Sequence, residues 1–106
     1  MLNIKERETG DETVLDLEGS VVLGSGAAEL RSALRRLAET DKNRVTINFA
    51  AVKYIDSSGV GELINAAAKF NNAGGNLKLK NLPPKVEQVL SLSNVLSMFE
   101  IEESES

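Results

Sequence analysis

Residues 54–64, YIDSSGVGELI, gather side chains that could do chemistry: the carboxylate of Asp56, the adjacent hydroxyls of Ser57 and Ser58, and the bare backbone of Gly59 and Gly61. An Asp followed by two serines is how a helix starts, because short polar side chains accept hydrogen bonds from amides that the first turn leaves unpaired. Glycine in that turn is costly, at about 1 kcal/mol each relative to alanine. A hydroxyl placed there can be a nucleophile, a cap, or an acceptor for a phosphoryl group.

The nucleophile fails on composition. The chain has 106 residues with no histidine and no cysteine. A Ser-His-Asp triad, phosphotransfer through histidine, the usual zinc sites, disulfides and thiol chemistry are all excluded. A serine elbow, G-x-S-x-G, centred on Ser58 needs glycine where Asp56 and Val60 stand; centred on Ser57 it finds Gly59 but also Ile55. Phosphate loops fail in the same way. In GSVVLGSG (19–26), Gly19 and Gly24 have P-loop spacing, but Ser25 and Gly26 replace the Lys and Ser/Thr that such a loop requires. Gly24 and Gly26 open a G-x-G-x-x-G that ends on Glu29. A non-enzyme with no cofactor and no metal is expected, and a nucleotide hydrolase would lack an identifiable base or metal cluster.

Cap and acceptor both stay open on the residues alone. As a cap, Asp56 or Ser57 closes the helix, and the glycines allow close packing on a sheet. As an acceptor, a serine gains about −1.5 to −2 charge and three strong acceptor oxygens on phosphorylation. The positive end of the helix dipole tolerates that charge, while Asp56 opposes it. The glycines would let another protein's backbone come close.

The elements that must position this turn follow from periodicity. Residues 2–8 and 12–18 read as an antiparallel pair of strands joined at TGD, with Thr13, Leu15 and Leu17 on one face. The 19–26 segment reads as a loop with an apolar middle. Leu30, Ala33, Leu34, Leu37 and Ala38 form one helical stripe, with Ser25 as its cap. RVTINFA (44–50) is a β-branched strand. Val60, Leu63, Ile64, Ala67 and Phe70 make a second stripe over a helix at 57–71, which NNAGG stops. Leu77 and Leu79 alternate inward in a strand at 76–80. Pro83 and Pro84 start a short helix carrying Val86, Val89 and Leu90. SMFEIEE (97–103) reads as a last strand, and about 102–106 as a solvated acidic tail. The order β-β-α-β-α-β-α-β predicts one α/β domain over 1–106, a mixed sheet with helices mainly on one face.

Net charge is −4, and the longest basic cluster, Arg35–Arg36, reads as a solvated helix face, so nucleic acid is not an expected partner. There is neither an apolar run long enough to span a membrane nor a signal sequence. Direct membrane insertion is therefore not expected, and a cytoplasmic location is.

VTINFAAVKYIDSSGVGELINAAAKFNNAGGNLKLKNLPPKVEQVLSL, taken with the later FEI, closely resembles the STAS domain family, in particular bacterial anti-sigma factor antagonists. The resemblance rests on the order and spacing of the strand before AAV, the IDSSG turn, the GG before an alternating strand, and P-x-V. It implies a protein that, unmodified, binds an anti-sigma factor that is also a serine kinase. Phosphorylation in the D-S-S-G turn weakens the complex, and a PP2C-type phosphatase restores it. The resemblance sets Ser58 as the acceptor, with Ser57 the second candidate and a cap or turn-former. It implies partner contacts from Asp56, Ser57, Gly59, Val60, Gly61 and Glu62, and from Gly24 and Ser25 in the preceding loop. Two departures stand out: no acidic residue follows Gly19 until Glu29, and Asn48 takes a place where the family often has Asp. The alternative within the family is a subunit of a membrane transporter complex, or a constitutive scaffold, with no phosphoswitch.

Overall fold

Two-residue periodicity and turn chemistry generate the first elements. A computed structural model describes residues 2–40 and 43–102. Strands β1 (Leu2–Thr9) and β2 (Glu12–Val21) pair antiparallel, from Leu2 opposite Gly19 to Thr9 opposite Glu12, around a turn in which Gly10 has φ +63°. Helix α1 (Ala27–Ala38) carries the chain to β3 (Arg44–Ile55), which runs parallel to β2. Helix α2 (Ser57–Asn72) then leads to β4 (Asn76–Lys80), parallel to β3. Helix α3 (Pro84–Leu92) and a 3₁₀ turn (Leu96–Met98) precede β5 (Glu100–Glu102), parallel to β4. The result is one mixed sheet of five strands in the order β1-β2-β3-β4-β5.

Register sorts the side chains by face. Thr13 and Leu15 lie opposite Val45 and Ile47, which lie opposite Leu77 and Leu79. The apolar members of this row, with Leu17 and Phe49, join Leu30, Leu34 and Leu37 of α1, Val60, Leu63, Ala67 and Phe70 of α2, and Val86 and Leu90 of α3 in one core. The helical stripes read from the sequence are therefore the buried faces, with Ala38, Ile64 and Val89 packed at their margins.

The opposite face is polar. Arg7 holds Asp16 at 2.6 Å, Asp16 Oδ1 accepts from Asn48 Nδ2 at 2.8 Å, and Asn48 Oδ1 accepts from the Ala50 amide at 3.0 Å and from Asn81 Nδ2 at 2.9 Å. Lys78 sits among Glu12, Glu102 and Glu100 at 3.7, 3.5 and 4.0 Å. Val14 and Thr46 are buried on this side, outside the main core, so β2 is less strictly one-sided than the alternation predicts. Long Arg and Lys side chains can shield such positions with their apolar stems.

Four boundaries differ from the sequence reading. β2 extends to Val21, into the segment read as loop, and β3 continues past residue 50 to Ile55. Both extensions pass register shifts, between Asp16 and Glu18 and between Gly19 and Ser20, which disrupt the two-residue alternation there. Ser25 is not the cap of α1. Gly26 is, with φ +101°, and its amide donates to Glu29 Oε1 at 2.9 Å. A Cβ at Gly26 would stand 2.1 Å from the Ser20 carbonyl oxygen, so the helix entry needs glycine there and the cap falls one residue later. The last strand is only Glu100–Glu102, because residues 96–98 coil into the 3₁₀ turn, where Met98 and Phe99 donate to Val95 and Leu96 carbonyls. Glu102 is therefore strand rather than tail; Glu103 and the rest of the expected tail lie outside the described residues.

The Asn48 amide donates to one carboxylate and cannot be replaced by another without conflict. Asn48→Asp is expected to cost about 1–2 kcal/mol at neutral pH, since two carboxylates would then face each other where a hydrogen bond stood. Repulsion raises the proton affinity of the pair, so the deficit relative to wild type should shrink as pH falls and one carboxyl protonates. Urea unfolding of both proteins at neutral and mildly acidic pH measures this.

Candidate functional site

The D-S-S-G turn forms where β3 ends against β2. The Asp56 amide donates to the Val21 carbonyl at 3.2 Å, so residue 56 is fixed by the sheet before the helix starts. Its backbone is extended, and its carbonyl accepts from the Val60 amide at 3.0 Å, which closes the first helical turn. Asp56 is thus the N-cap. Its Oδ1 accepts from the Ser58 and Gly59 amides at 2.9 and 3.1 Å. Its Oδ2 accepts from the Leu23 amide at 3.1 Å, reaching across to the 22–26 loop. One carboxylate therefore joins both segments singled out in the sequence.

These amides, Leu23 first, hold the Asp56 carboxyl below the ordinary aspartate value of 3.8, against an opposing effect of partial desolvation. A carboxylate that accepts several backbone N–H bonds favours its charged form.

Ser57 is the first helical residue, not the cap, and is exposed; Ser58 follows half-buried. Among the described residues neither hydroxyl has a hydrogen-bond partner. Gly61 and Glu62 are half-buried on the same turn, and Glu62 lies 3.9 Å from Arg31 of α1. In the loop, Gly24 is exposed with φ +81°, and Ser25 is half-buried, its amide and carbonyl exchanging bonds with Val22 at 3.0 and 2.9 Å.

The two glycines of the turn separate cleanly. A Cβ at Gly59 would stand 2.5 Å from the Val21 carbonyl oxygen and 2.7 Å from Ile55 Cγ1. A Cβ at Gly61 would meet nothing within 4 Å. Gly59 is packed inside, and Val60 is only 4% exposed and part of the core. Helix-to-sheet packing thus uses both Gly59 and Val60, which were expected among the partner contacts. Gly61 has no such internal reason.

Sequence reasoning missed Leu23, which is 77% exposed. The apolar middle of GSVVLGSG was its signal, but Val21 is fully buried and Val22 half-buried, so the run does not say which of the three faces out. Asn48 meets Asp16, Ala50 and Asn81, so its influence lies on the open sheet face rather than at the 56–59 turn. Among the described residues no group of His, Cys, Asp or Glu is set to hold a metal ion, and no helix is long and apolar enough to cross a membrane.

Comparison with known proteins places this architecture. The family described as "Mlab, STAS domain" matches residues 4–100. The chain belongs to the STAS domain family. It is 25% identical over 100 residues to the anti-sigma-B factor antagonist of Bacillus subtilis, covering 94% of this chain and 90% of that protein. The crystal structure of tm1081 from Thermotoga maritima superposes with a TM-score of 0.87 at 21% identity, covering 96% of this chain and 86% of the other. The anti-sigma factor antagonist SpoIIAA superposes with a TM-score of 0.75 in its unphosphorylated form, at 17% identity over 97% of this chain and 90% of that one. Its phosphorylated form, from Bacillus, gives the same 0.75 at 18% identity, over 98% and 93%. This STAS chain thus shares the family's fold, and its relatives include regulatory proteins named as antagonists of anti-sigma factors.

The geometry predicts opposite effects for two like substitutions. Gly61→Ala should stabilise the protein by about 0.5–1 kcal/mol through helix propensity alone. Gly59→Ala should destabilise it by about 1–3 kcal/mol, since the overlap with Val21 outweighs that gain. Thermal or denaturant unfolding of the two variants separates them.

Asp56 also sets a pH dependence. Its folded form binds a proton less tightly than the unfolded chain does, so its contribution is complete above the ordinary aspartate value and lost as pH falls through the lowered one. The amide resonances of Leu23, Ser58 and Gly59 should hold steady from neutral pH and move together only below about 3.8. An NMR titration reads this directly.

Proposed function

We propose that this protein is an anti-sigma factor antagonist switched by phosphorylation of Ser58. Unmodified, it binds an anti-sigma factor that is also a serine kinase, in the cytoplasm. The kinase transfers the γ-phosphoryl group of ATP to Ser58 Oγ, whose proton passes to a base of the kinase as ADP forms. A PP2C-type phosphatase hydrolyses the ester and restores binding. The chain itself supplies the acceptor and the surface, with no catalytic group of its own.

The observation that carries this reading is the capped turn. Asp56 takes the Ser58 and Gly59 amides, which leaves the Ser58 hydroxyl without a partner among the described residues at the positive end of a sixteen-residue helix. A phosphate there changes the surface charge strongly and is attached outside the core. Ser57 is the more exposed of the two; the D-S-S-G resemblance is what favours Ser58. Contacts come from the outward part of the turn, Asp56, Ser57, Gly61 and Glu62, together with Gly24 and Ser25. Gly61 fits this role because its missing side chain leaves open space on the outside.

Ser58→Asp is expected to weaken binding to the kinase partner by at least about tenfold, or about 1.4 kcal/mol, and Ser58→Ala to bind within about twofold of wild type. Ser58→Ala should change stability by less than about 1 kcal/mol, because the cap is Asp56. Calorimetric titration of the three proteins with the partner, and intact-mass analysis of protein from its native host, test the reading. Equal affinity for all three would sink the switch and favour a constitutive scaffold or transporter-subunit role.

A further inference from the structure

A solvent-exposed leucine is ordinary on any protein surface, but the backbone of Leu23 is held in an unusual way. The 22–26 loop closes on itself through Val22 and Ser25, and Ala27 donates to the Val22 carbonyl at 3.2 Å. The Leu23 amide leaves this ring of bonds and reaches Asp56 Oδ2 at 3.1 Å. The tight loop directs the Leu23 side chain into solvent, and the carboxylate fixes where the loop stands. The other oxygen of that carboxylate is committed to the Ser58 and Gly59 amides.

We propose that Leu23 is the apolar anchor through which the unphosphorylated protein holds its kinase partner, and that Asp56 is the residue that positions it. This rests on the antagonist reading. A kinase that places its active site over Ser58 must cover the surface around it, and Leu23 is one hydrogen bond from the residue that caps that turn. The occupant is therefore the kinase partner itself, presenting an apolar recess beside the groups that receive the turn.

The same contact links the anchor to the switch. A phosphate on Ser58 Oγ carries about −1.5 to −2 charge and strong acceptor oxygens. It repels the Asp56 carboxylate two residues away and competes for the amides that Asp56 caps. When Asp56 turns from the turn, the Leu23 amide loses its acceptor and the loop loses its position. Release of the partner then follows from a displaced anchor as well as from added charge. The lowered proton affinity of Asp56, with the Leu23 amide its largest cause, accords with a carboxylate held in its charged form by this bridge.

The test uses the full chain in two settings. In the free protein, solvent exchange of the Leu23 amide is followed by NMR with Ser58 unmodified, with phosphoserine incorporated at 58, and in Asp56→Asn. Asparagine can keep the cap through its carbonyl oxygen but offers an NH₂ where Oδ2 accepted. Both changes are expected to speed Leu23 exchange by about tenfold over wild type while core amides such as that of Ile47 stay unchanged. In the complex, Leu23→Ala and Leu23→Ser are expected to weaken binding by at least about tenfold, as truncation of a buried anchor does, with thermal stability kept. Leu23 exchange that is unaltered by phosphoserine and by Asp56→Asn would overturn the positioning role. Wild-type affinity of Leu23→Ala, with binding still lost on phosphorylation, would overturn the anchor and leave the antagonist reading intact. Binding that is indifferent to phosphoserine would instead overturn the antagonist reading itself.

Discussion

The end of β2 is the constraint from which the site is built. The Val21 carbonyl accepts the Asp56 amide, and its oxygen occupies the space that a side chain on Gly59 would need. One residue earlier, the Ser20 carbonyl does the same to Gly26 at the start of α1. The β2-to-α1 and β3-to-α2 connections therefore both enter their helices through a glycine pressed against β2. Parallel pairing of β2 and β3 puts their carboxyl ends side by side, which is where α/β sheets gather functional loops. The 22–26 loop and the 56–59 turn become neighbours for that reason, and Asp56 bridges them.

The two faces of the sheet divide the work. Burial of Leu15, Val45, Ile47, Phe49, Leu77 and Leu79 against three helices supplies the hydrophobic stabilisation. The other face is held by Arg7–Asp16–Asn48–Asn81 and by Lys78 among three glutamates. Exposed pairs of this kind contribute little singly, so the network serves register more than stability. Charge can then be added at the end of the sheet, at Ser58, without touching either system.

How far the sequence could be read follows from where periodicity was intact. The stripes of α1 and α2 and the alternation of Leu77 and Leu79 were legible because each lies on a regular element with one buried face. The end of β3 was not. From Ala50 to Ile55 only Val52 and Ile55 are buried, a three-residue spacing, because shifts in the β2–β3 register alter which side chains face inward. Ser25 looked like a cap because its side chain is the right type, but positive φ at Gly26 decides the helix entry, and backbone sign is not written in residue type alone. The turn at 56–59 was legible as a cap or an acceptor site; the reach of Asp56 to Leu23 was not, since it joins residues 33 apart.

Gly59 and Gly61, two residues apart on one helix, carry the same propensity cost for different reasons. The first is required from inside, by contact with β2, and no external partner need be invoked for it. The second is surrounded by open space, so the folded chain gains nothing internal from lacking a side chain there. The open space at Gly61 accords with the partner contact proposed for that position. A switch at this place needs two surfaces rather than two folds, because Ser58 lies outside the core cluster and the helix dipole already favours negative charge at its start.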